Sequence, residues 1–335
     1  MTHHVLLYTI DIRSLSFAEE YQQWLTTWLQ AADEEIERGD IASSVCLQAG
    51  LCELILHGDL QRDWQGVFDD YLTSDAGTPL AYSEIFGNRV YGFAGQWQQT
   101  PIHAIYTRLW FDRLLGQEAA HINAYADLIE GFIQADGWMY NPKVSQTQIR
   151  TRMKSELLMS MAMGVEILHT AERLDLYRAS CVATLSGLSV TGFLSAEHFR
   201  AAALEKLDRT NQIPVNEFQV IEDCQAGKGY SDFAVKNKVD DYMGTAKRSS
   251  RDVALHSPLS TIHALHLSEY VSPDERQRVH TQAQVFAHHL THDPLDIPAF
   301  QVRDLPTPFG TDISPIEITC AAWLRQHMLG QTNNA

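Results

Sequence analysis

The sequence predicts an all-α protein, an α/α toroid of about six helical hairpins with a buried inner ring and an amphipathic outer ring. Three observations predict this fold. A helix-start signature recurs along the chain, the recurrences are evenly spaced, and helices without a polar face alternate with amphipathic ones. The residues 1–335 are therefore expected to form a single toroid domain.

The helix-start signature is a Ser or Thr, then Pro, then an aliphatic residue that opens an apolar run. It stands at 100–102, 257–259 and 314–316, and at 155–157 with Glu in place of Pro. A hydroxyl oxygen caps free backbone N–H groups, and Pro at the first helical position loses no hydrogen bond. Each signature therefore predicts the start of a helix.

The spacing of these starts indicates a repeat. Thr100 and Ser155 are 55 residues apart, and Ser257 and Ser314 are 57 apart. Each clear repeat also contains a second helix that stops at an Asp, 36 residues after Thr100 and 36 after Ser257. The repeating unit is thus a helical hairpin.

The two helices of a hairpin differ in pattern. The first is apolar nearly all round, as in residues 157–168, and is expected to be buried on every side. The second has one apolar stripe, as in residues 119–133 and 274–292, and is expected to lie outside.

The two ends of the chain favour ring closure. Residues 17–32 form an amphipathic helix without a partner, and residues 315–329 form one inner helix without a partner, so together they complete a hairpin. An open solenoid is the alternative. Residues 187–230 fit the period poorly, although a helix capped by Ser195 is predicted at 196–208.

Composition excludes several classes of protein. The formal net charge of −17 disfavours phosphate-neutralising contacts with nucleic acid. No apolar run is long enough to span a membrane. Five dispersed cysteines and the absence of a signal-peptide pattern predict reduced thiols in a cytoplasmic protein. No nucleotide-binding motif is present, so no cofactor is expected.

The helical layout of residues 40–330 resembles the prenyltransferase and terpenoid-cyclase type of α/α toroid. Repeats in that superfamily often end in Gln, then Asp-Gly and an aromatic residue, as Gln134, Asp136, Gly137 and Trp138 do here. The resemblance implies a central cavity for a hydrophobic or isoprenoid substrate. The DxDD, DxC and DDxxD motifs of the superfamily are absent, so its catalytic residues do not carry over.

Two basic links interrupt the acidic chain. Arg150, Arg152 and Lys154 precede one inner helix, and the residues 227–256, which include Arg251, form a Gly- and Lys-rich loop before another. Cations beside helix N-termini favour a bound anion, so these residues are expected to hold an anionic head group, with 227–256 as a lid. Their simpler role is to keep loops soluble.

Acid–base candidates lie on the predicted inner helices and the adjoining links. They are Asp136, Glu156, His263 and His103. Carboxylate and imidazole groups at a cavity transfer protons. The simpler roles are an Asx turn at Asp136, dipole compensation at Glu156 and core packing for the histidines.

Further residues are expected to contact the substrate. They are Trp138, Tyr140, Tyr106 and His266, and the last two share a helix face with His103 and His263. The group His288, His289, His292 and Asp293 lies on an outer helix, where a surface location fits better than a metal site, so no metal is expected.

These features lead to an enzyme as the first hypothesis. It would be a cyclase, lyase or transferase of specialised metabolism, acting on an anionic, partly hydrophobic small molecule in a central cavity. One alternative is a non-catalytic helical-repeat protein that binds a peptide or a partner protein. Another is a carbohydrate-active α/α barrel with paired carboxylates. The sequence leaves the oligomeric state open.

Overall fold

A computed structural model of the chain describes residues 10–17, 19, 21–37, 43–73, 96–135, 137–139, 154–187, 194–214, 258–292 and 314–330. In these residues the fold is all-helical, as predicted. No strand occurs among them, and Ile133 and Met139 form one isolated antiparallel bridge.

Eleven α-helices lie in the described part of the chain, and we number them α1 to α11. They are α1 Tyr21–Glu37, α2 Ser43–His57, α3 Trp64–Thr73, α4 Gln96–Leu115, α5 Glu118–Glu130, α6 Lys154–Thr170, α7 Arg178–Ser186, α8 Leu194–Lys206, α9 Pro258–Ser268, α10 Pro273–His292 and α11 Pro315–Leu324. A π-helical turn, Arg325–Leu329, continues α11.

The helix-start signature is confirmed at two of its four positions. Ser314 caps α11 by accepting a hydrogen bond from the Glu317 N–H, and Pro315 is the first helical residue. Pro258 likewise begins α9. In contrast, α4 begins at Gln96 and α6 at Lys154, so the signatures at 100–102 and 155–157 lie inside helices.

The alternation between buried and amphipathic helices is confirmed. Helix α6 has no exposed residue from Leu158 to Leu168. On α10 the predicted stripe is buried and the intervening polar residues are not. The stripe consists of Val279, Ala283, Phe286, Ala287 and Leu290. Tyr21, Leu25 and Trp28 bury one face of α1 in the same way.

Six helices contact one another in succession. Helix α2 contacts α4, α4 contacts α6, α6 contacts α8, α8 contacts α9, and α9 contacts α11, which in turn contacts α2. The other helices pack beside these: α1 on α2, α3 on α4, α5 on α4 and α6, α7 on α6 and α8, and α10 on α9 and α11. The candidate site lies where α8 meets α9.

The core is built from aliphatic, aromatic and sulfur-containing side chains. Four cysteines are buried free thiols, as predicted: Cys46, Cys52, Cys181 and Cys320. Burial raises the pKa of the Cys181 thiol to about 11, so this group stays protonated and unreactive at neutral pH.

None of the helices in the described part of the chain is both long enough and apolar enough to cross a membrane.

Candidate functional site

Helices α8 and α9 bring three imidazoles together, and we call His198, His263 and His266 the imidazole cluster. The ring centroid of His198 lies 4.7 Å from that of His263 and 4.1 Å from that of His266. His198 and His263 are only 3% and 2% exposed. The side chain of His266 is 24% exposed, so the cluster reaches solvent through this ring.

Helical geometry explains how the cluster forms. His263 and His266 are three residues apart on α9 and therefore share one face, as the sequence predicted. His198 lies on α8. The sequence predicts a helix here, but not its place within the repeat. Pairing of α8 with α9 is a long-range contact, so no local pattern in the sequence predicts the third imidazole.

Most ring nitrogens of the cluster have no hydrogen-bond partner. Four buried atoms have none among the described residues: Nδ1 of His198, Nδ1 and Nε2 of His263, and Nδ1 of His266. Buried polar atoms are normally satisfied, and one left without a partner costs about 1–3 kcal/mol. Such an accumulation at one place indicates a site that receives a ligand or water.

The remaining nitrogen of His266 is held by a carboxylate. Its Nε2 lies 3.0 Å from Oε1 of Glu205, which lies in the last turn of α8. A carboxylate fixes the orientation and tautomer of an imidazole and stabilises the imidazolium that forms when the ring takes up a proton. Glu205 is a functional candidate that sequence reasoning missed.

Burial keeps the two interior rings neutral. Desolvation, and secondarily the positive charge of His266, lower the pKa of His263 to about 3. The pKa of His198 is also well below its ordinary value, because of desolvation and then of the neighbouring imidazoles. Neutral imidazoles both donate and accept hydrogen bonds, so the two interior rings can position a ligand, while His266, which reaches solvent and faces Glu205, is the candidate for proton transfer.

The imidazole cluster is not arranged as a metal centre. No group of three or more His, Cys, Asp and Glu side chains that could hold a metal ion occurs in the part of the chain described here. His288 is exposed on α10, in keeping with the surface location predicted for it.

Several predicted site residues lie outside the described residues. They are Asp136, Tyr140, Arg150, Arg152 and Arg251, together with the predicted lid, residues 227–256. His103 lies on α4, and Lys154 and Glu156 lie in the first turn of α6, but their side chains are not described. These assignments stay predictions.

The two predicted aromatic residues that are described lie in or beside the core. Tyr106 is buried in the cluster formed mainly by α4, α5, α6 and α8, and Trp138 packs against it while half-buried. The Trp138 carbonyl accepts a hydrogen bond of 2.7 Å from the Gln134 N–H, and Gly137 has a φ of +83°. These contacts hold Gln134 close to Gly137 and Trp138, and the φ of Gly137 is one that glycine adopts readily.

A second polar group links α4 to α5. The buried carboxylate of Asp112 accepts a hydrogen bond from the Tyr125 hydroxyl, and its Oδ2 lies 3.0 Å from Nδ1 of His121. Its polar atoms are paired, which fits a role in holding α5 against α4. Sequence reasoning missed this group as well.

A groove lies at the ends of α4, α5 and α6, and the cationic side chain described in it, Arg113, is paired with carboxylates. It has a volume of about 680 Å³ and includes Arg113, Thr170 and Glu172. Arg113 donates to Glu118 at 2.9 Å and to Glu166 at 3.1 Å, so its charge is already compensated. The imidazole cluster is therefore the better candidate site.

Comparison of the chain with protein-family models, with curated proteins and with solved structures finds no match.

Proposed function

We propose that this chain is an α/α-toroid enzyme whose acid–base centre is the imidazole cluster between α8 and α9. The toroid is supported by the succession of contacts from α2 through α4, α6, α8, α9 and α11 back to α2. The amphipathic helices beside this succession would form the outer ring, and residues 1–335 would then be one domain.

The single observation that carries the proposal is the set of four buried ring nitrogens without a partner. A cluster kept for stability would have its polar atoms satisfied or replaced by carbon. A neutral imidazole beside a carboxylate-held imidazole is instead the composition of a proton-transfer site. His266 would take up the proton, and Glu205 would stabilise the resulting imidazolium.

The substrate proposed from the sequence is an anionic, partly hydrophobic small molecule. The burial of the cluster supports the hydrophobic part, since His198 and His263 are 3% and 2% exposed and the His198 ring lies 6.2 Å from that of Phe199. The basic links that include Arg152 and Arg251 support the anionic part. We propose a cytoplasmic enzyme, since the four described cysteines are unbonded thiols.

The experiment is a ligand screen by thermal shift that compares three proteins. Wild type, His263→Asn and the control His169→Asn, which changes an exposed histidine of α6, would be screened against isoprenoid diphosphates and small organic acids and alcohols. A substrate class should stabilise wild type and the control but not His263→Asn. Mass spectrometry of the incubated hits then identifies the product.

Two outcomes would argue for a non-catalytic helical-repeat protein instead. One is a screen in which no compound separates wild type from His263→Asn. The other is a hit that binds through the imidazole cluster and is recovered unchanged under all conditions of incubation.

A further inference from the structure

We propose that the imidazole cluster binds the hydroxyl group of a small organic molecule, an alcohol or a phenol, whose O–H donates a hydrogen bond to Nδ1 of His266. This inference rests on the proposed function and names the chemical group that the site receives. It is compatible with an anionic group elsewhere on the same molecule.

The tautomer of His266 determines which kind of group this ring can bind. Glu205 is a carboxylate and only accepts hydrogen bonds, so the Nε2 atom that faces it at 3.0 Å carries the proton. In the neutral ring, Nδ1 then holds a lone pair. This Nδ1 is buried, and no described residue donates to it. The missing partner is therefore a hydrogen-bond donor.

The charged groups around the cluster determine which ligand charge it favours. The carboxylate of Glu205 opposes an anion bound beside it. Arg200, the buried cation two residues from His198, is occupied by both carboxylate oxygens of Glu197, with its Nε 2.9 Å from Oε2. At the N-terminal end of α9, Glu317 of α11 accepts a hydrogen bond from the Leu259 N–H. A neutral donor fits these surroundings better than an anion.

The two interior rings, His198 and His263, favour a ligand group that both donates and accepts hydrogen bonds. Neutral His198 and His263 each keep one N–H donor and one acceptor nitrogen. A hydroxyl group both donates and accepts, so it can donate to His266 and accept from an interior ring. An ammonium group donates but cannot accept, and would leave an interior N–H without a partner.

The test uses phenol as the probe and toluene as its isostere without a hydroxyl. Affinity for the whole protein is measured by calorimetry at about pH 8, and long-range ¹H–¹⁵N spectra report the histidine nitrogens. Phenol should bind about tenfold more tightly than toluene, in proportion to one buried hydrogen bond. Phenol should also shift the ¹⁵N resonance of His266 Nδ1.

Two variants assign the effect to the cluster. His266→Phe keeps an aromatic ring without nitrogen and should abolish the preference for phenol, whereas the matched control His169→Phe should retain it. If His266→Phe fails to fold, Glu205→Ala replaces it. Loss of the carboxylate frees the tautomer of His266 and should reduce the preference severalfold.

The proposal is overturned if toluene binds as tightly as phenol, if neither binds, or if acetate or inorganic phosphate binds in preference to phenol. Binding of these anions that depends on His263 would overturn the hydroxyl inference alone and leave the proposed function standing. Loss of the proposed function itself would appear separately, as a ligand screen that His263→Asn does not alter.

Discussion

His263 combines three properties that rarely occur together at one residue. It lies on α9, where no described side chain is exposed, it is itself 2% exposed, and both of its ring nitrogens lack a described partner. A side chain in this state lowers the stability of the fold, so a function is the natural reason to keep it.

Replacement of His263 by Leu should stabilise the protein. Leu has a similar volume and no polar atoms, so the cost of two unsatisfied nitrogens disappears, and the free energy of unfolding should rise by about 1–2 kcal/mol. Urea denaturation measures the change. The control His169→Leu should stay within about 0.5 kcal/mol of wild type. A destabilised His263→Leu would mean that the imidazole has hydrogen-bond partners in solution.

Stability should fall in acid because of the same residue. The pKa of His263 is about 3 in the folded state and about 6.5 in an unfolded chain, so the unfolded state binds more protons between these values. The free energy of unfolding contributed by this group is fully present above pH 6.5. It is lost as the pH falls toward 3, by about 1.4 kcal/mol per pH unit.

The measurement that isolates this contribution is the difference between two pH titrations of stability. Carboxylates titrate in wild type and in His263→Leu alike, so the difference curve reports His263 together with its interaction with His198. A difference that does not change between pH 7 and 4 would contradict the assignment of a buried neutral imidazole.

Close packing of helices is the main feature at the scale of the elements. Gly50 lies in the middle of α2 where α4 crosses it, and a Cβ built at Gly50 would lie 2.7 Å from Cζ of Phe111. The Phe111 ring is held in place by stacking on Trp64, with ring centroids 4.4 Å apart. Only glycine therefore allows these two helices to approach this closely.

Gly50→Ala should lower the free energy of unfolding, although replacing a helical glycine by alanine usually raises it. Alanine within a helix normally adds about 1 kcal/mol of stability relative to glycine. Here overpacking against Phe111 should cost about 1–3 kcal/mol. Thermal or urea unfolding measures this cost. The double variant Gly50→Ala with Phe111→Leu should recover part of the loss, and a stabilised Gly50→Ala would contradict the packing of α2 on α4.

The pattern of helices was predictable at this scale, while several helix starts were not. Apolar runs and stripes identified the buried and amphipathic helices, because burial follows hydrophobic periodicity. The first helical residues of α4 and α6 were predicted late, at 101 instead of Gln96 and at 156 instead of Lys154. A Ser or Thr followed by Pro or Glu is also tolerated inside the first turns of a helix, so the signature marks a start only approximately.

The contact that would close the proposed ring is the main feature at the scale of the whole molecule. The contact between α2 and α11 joins segments more than 250 residues apart, and α1 packs on α2 beside it. Small-angle X-ray scattering tests the toroid directly. A compact single domain of this length should have a radius of gyration of about 20 Å, whereas an open solenoid would give a clearly larger value and an elongated distance distribution.

Residue patterns in the sequence predict only part of the imidazole cluster. Two of its members, His263 and His266, were candidates because i and i+3 residues share a helix face. His198 and Glu205 come from α8, 61 to 65 residues earlier. No local pattern connects residues at that separation.

The sequence by itself determined that the chain is helical, which helices are buried, and that its described cysteines are core thiols. These properties depend on composition and on a period of 3.6 residues, both of which are local. Only the tertiary structure decided which helices are neighbours, and hence that three imidazoles and a carboxylate meet between α8 and α9. The physical reason is that a site joins groups across the fold, and their desolvation and missing hydrogen bonds exist only once the helices have packed.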